Sequence, residues 1–330
     1  MQAFFPLDEQ WALGASVYSP ERVKQMTWLA THVPYAAAVE IFQRIGYETV
    51  PQTSLWEQTQ AVGHTWQTQQ AEAQSQVQVE RMSLPPAGHD HAQPKGVSLD
   101  GGTVNVRGEG WKEIKVGAVG ELGTTTERDP LTDDPVEVGC VNQIHYCGVL
   151  GSVAEFAPTL WALAVQQAVP TAAEVIVTAD GAEWIWNVAA DYFPDSVQIV
   201  DWYHATQHLA QAASALHPTD PTAAQTWAQA RREALYLCQV EKITQPLDQA
   251  HLPEQARYFH THSRRMQYQE FREQHYPIGS GAVESGIKQF KHRLTGPGMR
   301  WSRPGLERML LLRAAVLSHT FDDAWAAALN

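Results

Sequence analysis

In the middle of the chain, apolar and polar positions alternate as they do in β-strands, and the alternation becomes clear after residue 93. A glycine-containing turn predicts that the first two strand-like segments form a hairpin, and the acidic stretch TTTERDPLTDDPVEVG predicts a loop before the next strand. Helical spacing and short apolar runs then alternate. The segments, in chain order, are GVSLDGG, WKEIKVGAVGEL, NQIHYCGVL, FAPTLWALAVQQAV, EVIVTADG, AEWIWNVAADYF and SVQIVDWY.

This order of elements, β-β-β-α-β-α-β, predicts the fold class. Strands joined by short turns pair antiparallel, whereas strands joined through a helix pair parallel by right-handed crossovers. We therefore predict an α/β domain of ribonuclease-H-like topology at residues 93–330. From His204 to about Tyr268 the pattern is helical without a strand signal, which predicts an all-helical insertion at about residues 205–275.

Residues 275–300 predict a glycine-rich turn followed by a helix over roughly 282–294. Glu284 falls in the first turn of this helix, and Lys288 and Lys291 follow on the same face. The simplest interpretation is an exposed helix with an ion pair between Glu284 and Lys288. The C-terminal segment SRPGLERMLLLRAAVLSHTFDDAWAAAL has the spacing of amphipathic helices that pack on the sheet.

The first 92 residues are predicted to form a separate helical region. Three short helices over residues 19–60 are compatible with a helix-turn-helix, but the predicted recognition helix, PQTSLWEQTQ, has no Lys or Arg, so a plain helical packing module is the alternative. Residues 57–82 continue as a glutamine-rich helix that is either exposed or self-associating. Prolines and glycines in LPPAGHDHAQPKG predict a linker, and we place the domain boundary there.

Composition narrows the classes of protein. The 330 residues are 44% hydrophobic, which suffices for one large or two modest folded domains. No apolar run has the length of a membrane-spanning helix and the N-terminus does not resemble a signal peptide, so we expect a cytoplasmic protein without a membrane partner. Cys140, Cys147 and Cys238 are too few and too irregularly spaced for a disulfide framework or a zinc site, and we expect reduced thiols.

The charge is distributed unevenly. A net charge of −13 argues against a protein that coats nucleic acid, because phosphate binding needs clustered Lys and Arg. The segment from Arg264 to Arg313 nevertheless has ten Lys and Arg against four acids. A locally basic surface of this kind can hold a phosphate backbone.

Three acids occupy comparable places in the predicted elements. Asp100 is expected to end the first strand, Asp180 to end the fourth, and Glu284 to begin the helix after the insertion. Converging carboxylates repel one another unless cations neutralise them, so we expect two Mg²⁺ or Mn²⁺ ions, about 3.5–4 Å apart. The expected chemistry is phosphodiester cleavage and strand transfer, because two such ions activate a water or a 3′-hydroxyl and stabilise the leaving oxygen.

These acids also have purely structural interpretations. Asp100 precedes two glycines as an ordinary turn residue does, and Asp180 is placed to cap the next helix. Asp201 and His204, in an Asp-x-x-His spacing, are a competing pair of metal ligands or else a helix cap and a supporting histidine. Topology favours Asp180 as the second ligand with Asp201 and His204 in support, and the triad of Asp100, Asp201 and Glu284 stays open.

Five motifs, taken in order within residues 95–318, resemble the bacterial insertion-sequence transposases of the ISKra type, which are relatives of the Mutator-like DDE transposases. The motifs are VSLDGG, VTADGAEWIWN, FPDSVQIVDWYHATQHL, YPIGSGAVESGIKQFKHRL and GMRWSRPGLERMLLLRA. PLDEQWALGASVYSPERV resembles the upstream helical part of the same family. The resemblance implies a ribonuclease-H-like core, an Asp-Asp-Glu metal site, an Asp/Cys-x-x-His motif and an all-helical insertion. The matching residues are Asp100, Asp180, Asp201, His204 and Glu284, and Lys291 resembles the basic residue that often follows the catalytic Glu.

We therefore expect a transposase that carries out metal-dependent DNA cleavage and strand transfer of an insertion sequence. Its expected partners are the ends of the element and the target DNA, and bringing two ends together implies a homodimer or a larger assembly. Two alternatives remain. One is a ribonuclease-H-like nuclease without strand transfer, and the other is a domesticated or decayed DNA-binding protein, which the acidic pI and a short N-terminal region favour and the intact acids oppose. The residues expected to contact DNA phosphates are Lys288, Lys291, Arg293, Arg300 and Arg303.

Overall fold

A five-stranded mixed sheet forms the centre of the molecule. The computed structural model describes residues 17–80, 93–129 and 133–328. The strands are β1 (Lys95–Val106), β2 (Gly110–Arg128), β3 (Pro135–Leu150), β4 (Val175–Ala179) and β5 (Val197–Val200). Their order across the sheet is β3-β2-β1-β4-β5; β2 pairs antiparallel with both neighbours, whereas β1–β4 and β4–β5 are parallel. The fold is therefore mixed α/β.

The helices follow the predicted order. The described helices are α1 (Pro20–His32), α2 (Tyr35–Gly46), α3 (Gln52–Glu80), α4 (Val153–Gln166), α5 (Glu183–Tyr192), α6 (Trp202–Leu216), α7 (Pro221–Tyr236), α8 (Glu241–Gln249), α9 (Pro253–His262), α10 (Tyr268–Glu273), α11 (Gly281–Leu294), α12 (Arg303–Leu317) and α13 (Phe321–Ala328). Helices α4 and α5 connect β3 to β4 and β4 to β5, as the alternation of apolar runs and helical spacing predicts. Helix α11 begins within one residue of its predicted start.

Two hydrophobic cores cover the two faces of the sheet. Val97 and Leu99 of β1 belong to the core that also contains residues of α4 and α5. Val104 of β1 and Ile114 of β2 belong to the core that contains residues of α11 and α12. Because side chains alternate along a strand, Asp100 shares its face with Val104. The helix that begins near Glu284 therefore covers the face on which Asp100 lies.

Helices α6 to α10 form the predicted insertion between β5 and α11. Chain segment 277–280 returns from it to the sheet, where the Thr178 hydroxyl donates to the Pro277 carbonyl at 3.2 Å. The Trp202 N–H donates to the Ile278 carbonyl at 2.8 Å. These bonds fix the start of α11 against the ends of β4 and β5.

Two expectations for the strands were wrong. The acidic stretch predicted as a loop, residues 124–139, mostly continues β2 and β3 as a long hairpin, with pairing that extends from Gly123↔Cys140 to Arg128↔Pro135, because β-branched threonines continue the ladder. Residues 130–132 lie outside the described part. Asp100 lies within β1 rather than at its end, since β1 continues to Val106. The end of the shorter neighbour β4 nevertheless falls at the level of Asp100.

The N-terminal helices pack against the rest of the protein. Val23 of α1 and Trp66 of α3 share a core with Leu312, Phe321 and Trp325 near the C-terminus. The glutamine-rich face of α3 accepts hydrogen bonds from the α12 guanidinium of Arg308, at Gln60 (3.2 Å) and Gln67 (3.3 Å). The glutamines therefore serve an intramolecular contact. The predicted linker covers residues 84–96; residues 84–92 lie outside the described part, and Lys95 and Gly96 already belong to β1.

None of the described helices combines the length and the apolar character that crossing a membrane requires. Cys140, Cys147 and Cys238 are free thiols, as their spacing predicts. Burial raises the pKa of the Cys147 thiol to about 12. That thiol is therefore un-ionised and unreactive at neutral pH.

Candidate active site

The strand register brings three aspartates to one level of the sheet. The last paired residues of β1 and β4 are Ser98 and Thr178, so Asp100 and Asp180, each two residues further, lie level on neighbouring strands. Asp201 follows β5, and its N–H donates to the carbonyl of Ala179, the last residue of β4, at 2.7 Å. The ends of β4 and β5 thus place two acids beside the acid in the middle of β1.

Helix α11 brings Glu284 to the same place. A Cβ atom at Gly102 would lie 3.5 Å from the side chain of Ile287, so α11 crosses β1 at this point. Glu284 lies one turn before Ile287 on the helix, and Asp100 lies two residues before Gly102 on the same face of the strand. The helix therefore positions Glu284 near Asp100.

Tyr146 of β3 anchors this helix. Its hydroxyl donates to the carbonyl of Ala282 at 3.1 Å. A Cβ atom at Gly286 would lie 2.5 Å from the Tyr146 ring, so the close approach requires glycine. The first two turns of α11 are thereby held against the sheet.

The charges of Asp180 and Glu284 act on the carboxyl of Asp100. The pKa of Asp100 is raised, first by burial and then by the charges of Asp180 and Glu284, while the Gly101 N–H and His204 oppose the shift. The Asp100 Oδ1 accepts that N–H at 2.6 Å. The Asp180 Oδ1 accepts the Ala182 N–H at 2.9 Å, which closes the turn before α5; Ala182 itself is the N-cap, so the helix-capping interpretation of Asp180 is wrong. Negative charge is therefore concentrated in a half-buried place.

Asp201 is the most buried acid of the group, with no exposed surface. Its Oδ2 accepts the Ser280 N–H at 2.5 Å and the Ser280 hydroxyl at 2.7 Å. Its Oδ1 accepts the His204 N–H at 2.8 Å and lies 3.3 Å from Nδ1 of the same residue. Asp201 thus caps α6, orients His204 and fixes Ser280, the residue immediately before α11.

Asp201→Ala is expected to lower the free energy of unfolding by about 3–5 kcal/mol, because it removes a helix cap and leaves buried donors of Ser280 without an acceptor. We expect a Tm lower by roughly 5–10 °C, measured by scanning calorimetry. Asp220→Ala is the matched control, because Asp220 caps α7 by accepting the Ala223 N–H at 2.9 Å on the exposed surface. That control is expected to cost only about 0.5–2 kcal/mol, and equal losses in the two variants would contradict the anchoring role.

The stability difference between wild type and Asp201→Ala should depend on pH. Burial alone would raise the pKa of Asp201, but the bonds from His204 and Ser280 outweigh it and lower the pKa. The stability that Asp201 contributes is present above its pKa in the unfolded chain, about 3.9, and is lost as pH falls through its pKa in the folded protein. The pKa of His204 is raised, first by its bond to Asp201. The stability that His204 contributes is therefore complete below its unfolded pKa of about 6.5 and is lost as pH rises through its pKa in the folded protein. The difference in Tm is therefore expected to be widest at about pH 5–6.

The donor set fits a hard divalent cation. Carboxylate oxygens are the ligands that Mg²⁺ and Mn²⁺ prefer, and such a cation would relieve the repulsion that raises the pKa of Asp100. Among the described residues, the ligand atoms that lie within 4.8 Å of one another are those of Asp201, His204 and Glu284, and this group includes neither Asp100 nor Asp180. Both Asp201 oxygens already accept hydrogen bonds, however.

The basic residues predicted to contact DNA differ in availability. Lys288 is exposed, and its Nζ lies 3.1 Å from a Glu284 oxygen, as the spacing predicts. Arg300 is exposed and Lys291 is half-buried. Arg303 is held by two bonds to Glu109, at 3.0 and 2.6 Å. Lys288 and Arg300 are therefore the most accessible of these side chains.

Arg293 does not lie on the surface, which corrects its assignment as a phosphate contact there. It is 2% exposed, and its Nε donates to the Ala30 carbonyl at 2.7 Å. The guanidinium lies over the rings of Tyr35 and Trp301. Burial lowers its pKa to about 10. The sequence pattern of α11 gave no sign that α1 and α2 cover this side of the helix.

The insertion contributes side chains that the sequence did not single out. The Tyr258 hydroxyl donates to the Asp180 carbonyl at 3.2 Å, and the ring of His208 stacks on Tyr258 at 3.7 Å between centroids. These residues line a cavity of about 890 Å³ beside Asp180. The i, i+4 spacing of His204 and His208 was an available signal. Tyr258 had none, since 78 residues separate it from Asp180.

Fold and site together define a mixed α/β protein in which acids of β1, of the residues directly after β4 and of α11 lie beside the end of the short strand β4. Residues 166–322 match the model of an uncharacterised protein family, UPF0236. The matched stretch contains Asp180, Asp201, His204 and Glu284, whereas Asp100 lies outside it. No match is found among curated proteins.

Proposed function

We propose that the protein is a DDE transposase with a ribonuclease-H-like core, which cleaves DNA and transfers strands in a metal-dependent reaction. The observation that supports this most is that Asp180 and Glu284 lie near enough to Asp100 for their charges to raise the pKa of its carboxyl. The sheet order, with three antiparallel strands followed by two parallel ones, supports the proposed core. The resemblance to ISKra-type transposases supplies the reaction class.

Asp100, Asp180 and Glu284 are the proposed ligands of two Mg²⁺ or Mn²⁺ ions. When bound, such ions activate a water or a 3′-hydroxyl and stabilise the leaving oxygen of a phosphodiester. Asp180 is the proposed second ligand because both oxygens of Asp201 serve the anchoring of Ser280 and His204. The protein contributes rigid placement, since one ligand lies on β1, the second directly follows the paired strand β4, and the third lies on a helix fixed to them.

His204 has a separate proposed role. Its pKa is raised by Asp201 and, more weakly, by Asp180 and Glu284, so it tends to carry a proton beside the carboxylates. A protonated imidazole held in this way can donate a hydrogen bond to a phosphate oxygen. Asp201 then acts as a positioning residue, because it orients His204 and the start of α11.

DNA is the proposed partner, both as element ends and as target, and a homodimer or larger assembly is proposed for bringing two ends together. Lys288, Lys291, Arg300 and Arg303 lie on or beside α11 and supply positive charge near Glu284. This local charge offsets the net charge of −13 where the backbone would bind.

The test is an assay of the full chain with DNA that contains the ends of its own element. We expect nicked and joined products with Mg²⁺ or Mn²⁺ and neither product with EDTA. Nicks without any joined product would favour the nuclease alternative. A folded protein that binds these ends but leaves them intact with every divalent metal would contradict the proposal and favour the domesticated DNA-binding protein.

A further inference from the structure

A second pocket lies where the N-terminal helices meet the loop after α11. It has a volume of about 470 Å³, and its described lining contains three arginines and no acid. Tyr35 and Trp56 belong to the N-terminal helices, whereas Arg107 follows β1 and Arg300 lies in the loop. On a protein with a net charge of −13, an acid-free pocket of this kind selects for an anion.

The backbone holds the two outer arginines in place. The Trp301 N–H donates to the Asn105 carbonyl at 3.2 Å, and the Arg107 N–H donates to the Trp301 carbonyl at 2.7 Å. Arg300 directly precedes Trp301, so it and Arg107 are fixed at the same edge. Both side chains are exposed, and neither forms an ion pair with any residue in the described ranges. Their guanidinium groups are therefore free to take an external ligand.

Arg293 contributes charge from beneath these two residues. Its guanidinium is enclosed by Tyr35 and Trp301, and Nη2 has no hydrogen-bond partner among the described residues. No carboxylate of the described chain pairs with it. A buried cation without a counter-ion is unfavourable, and an anion in the pocket above would compensate it.

The spacing between the pocket and Glu284 can be estimated along helix α11. Arg293 follows Glu284 by nine residues on α11, which corresponds to roughly 13.5 Å along the helix axis. Consecutive phosphates of one DNA strand advance by about 3.4 Å along the duplex axis, so this spacing corresponds to roughly four base pairs. Nine residues also make about two and a half turns, so Glu284 and Arg293 lie on opposite faces of α11, and a duplex that reaches both places passes around the end of this helix.

We infer that this pocket binds a phosphate group, and that this group belongs to the backbone of the DNA whose cleaved bond lies at Glu284. This inference rests on the proposed function. Arg107 and Arg300 contact the phosphate oxygens, and Arg293 strengthens the local positive potential. Trp56, 46% exposed, forms the apolar side of the pocket.

The experiment measures binding of the full chain to a labelled duplex of its element end by fluorescence anisotropy, without divalent metal, over a series of salt concentrations. Arg107→Gln/Arg300→Gln is expected to lower the slope of log affinity against log salt concentration by about two, because each lost phosphate contact lowers it by about one. Arg107→Lys/Arg300→Lys should restore most of the slope, since Lys retains the charge. Lys242→Gln, which removes an exposed lysine of the insertion outside the basic segment 264–313, should leave it unchanged.

Equal slopes for wild type and the double Gln variant would overturn the inference. Thermal denaturation with inorganic phosphate distinguishes a free phosphate from a DNA phosphate. If phosphate stabilises wild type but not the double Gln variant, and the variant still binds DNA as wild type does, the pocket binds a small phosphate. That result would overturn the DNA assignment. Cleavage is scored separately. If wild type cleaves DNA but wild type and the double Gln variant have equal salt slopes, the proposed function holds and the phosphate inference fails. If folded wild type binds DNA but never cleaves it, the proposed function fails, and the comparison of salt slopes alone decides the phosphate inference.

Discussion

Glu284→Gln is expected to lower the rate of DNA cleavage by at least about 10³-fold, which corresponds to roughly 4 kcal/mol of lost transition-state stabilisation. Glutamine keeps the size of the side chain but removes the charge that holds the cation. Single-turnover cleavage of an end-containing duplex at saturating Mg²⁺ measures the effect. DNA binding in EDTA is expected to stay within about twofold of wild type, because Glu284 repels the backbone rather than binding it.

Glu273→Gln is the matched control for this variant. Glu273 is an exposed acid at the end of α10 in the insertion, and it lies outside the carboxylate group. Its replacement is expected to leave the cleavage rate within about twofold, since a distant exposed charge is screened. Cleavage that survives in Glu284→Gln would remove this residue from the site.

Asp100→Asn is expected to abolish cleavage while raising the stability of the metal-free protein by about 0.5–2 kcal/mol, as relief of a strained functional site does. The pKa of Asp100 is raised by burial and then by Asp180 and Glu284, so the folded state favours the protonated carboxyl. The protonated Asp100 carboxyl stabilises the fold below the pKa that Asp100 has in the unfolded chain. This stability is lost as pH rises through the pKa of Asp100 in the folded protein. At neutral pH the ionised Asp100 is therefore unfavourable, and a neutral amide removes the repulsion.

The measurement is Tm in EDTA and again with Mg²⁺. Wild type should gain Tm with Mg²⁺, whereas Asp100→Asn should start higher in EDTA and gain little. Asp195→Asn, an exposed acid between α5 and β5, should behave as wild type in both conditions. A lower Tm for Asp100→Asn in EDTA would show that burial and repulsion do not dominate at this position.

Much of the fold was predictable because it depends on local pattern. Apolar runs and helical spacing identified β4, α5, β5 and the insertion, and the glycines around residues 281 and 296 marked both ends of α11. The threonines at residues 124–126 were wrongly assigned to a loop because their surroundings are polar and acidic, whereas they belong to β2 and pair with β3. Long-range pairing of this kind is not visible in the periodicity of either segment alone.

Part of the candidate site was also predictable from the sequence, and part was not. Asp180 and Asp201 follow short strands, so their approach could be predicted from parallel neighbours. The anchoring of Ser280 by Asp201 joins residues 79 positions apart, and nothing in the turn before α11 indicates a buried acceptor. Arg293 was misassigned for a related reason, since its helix looks basic and exposed until α1 and α2 are placed against it.

The most direct measurement of the central claim is Mn²⁺ binding by calorimetry to wild type, Asp100→Asn, Asp180→Asn and Glu284→Gln. Loss of a direct ligand should weaken binding by about 100-fold or more, since changes to residues that only support a ligand already cost about 10–100-fold. We expect this loss in all three variants and wild-type affinity in Asp195→Asn. Wild-type Mn²⁺ affinity in Glu284→Gln, or no measurable binding to the folded wild-type protein, would contradict the metal site formed by Asp100, Asp180 and Glu284.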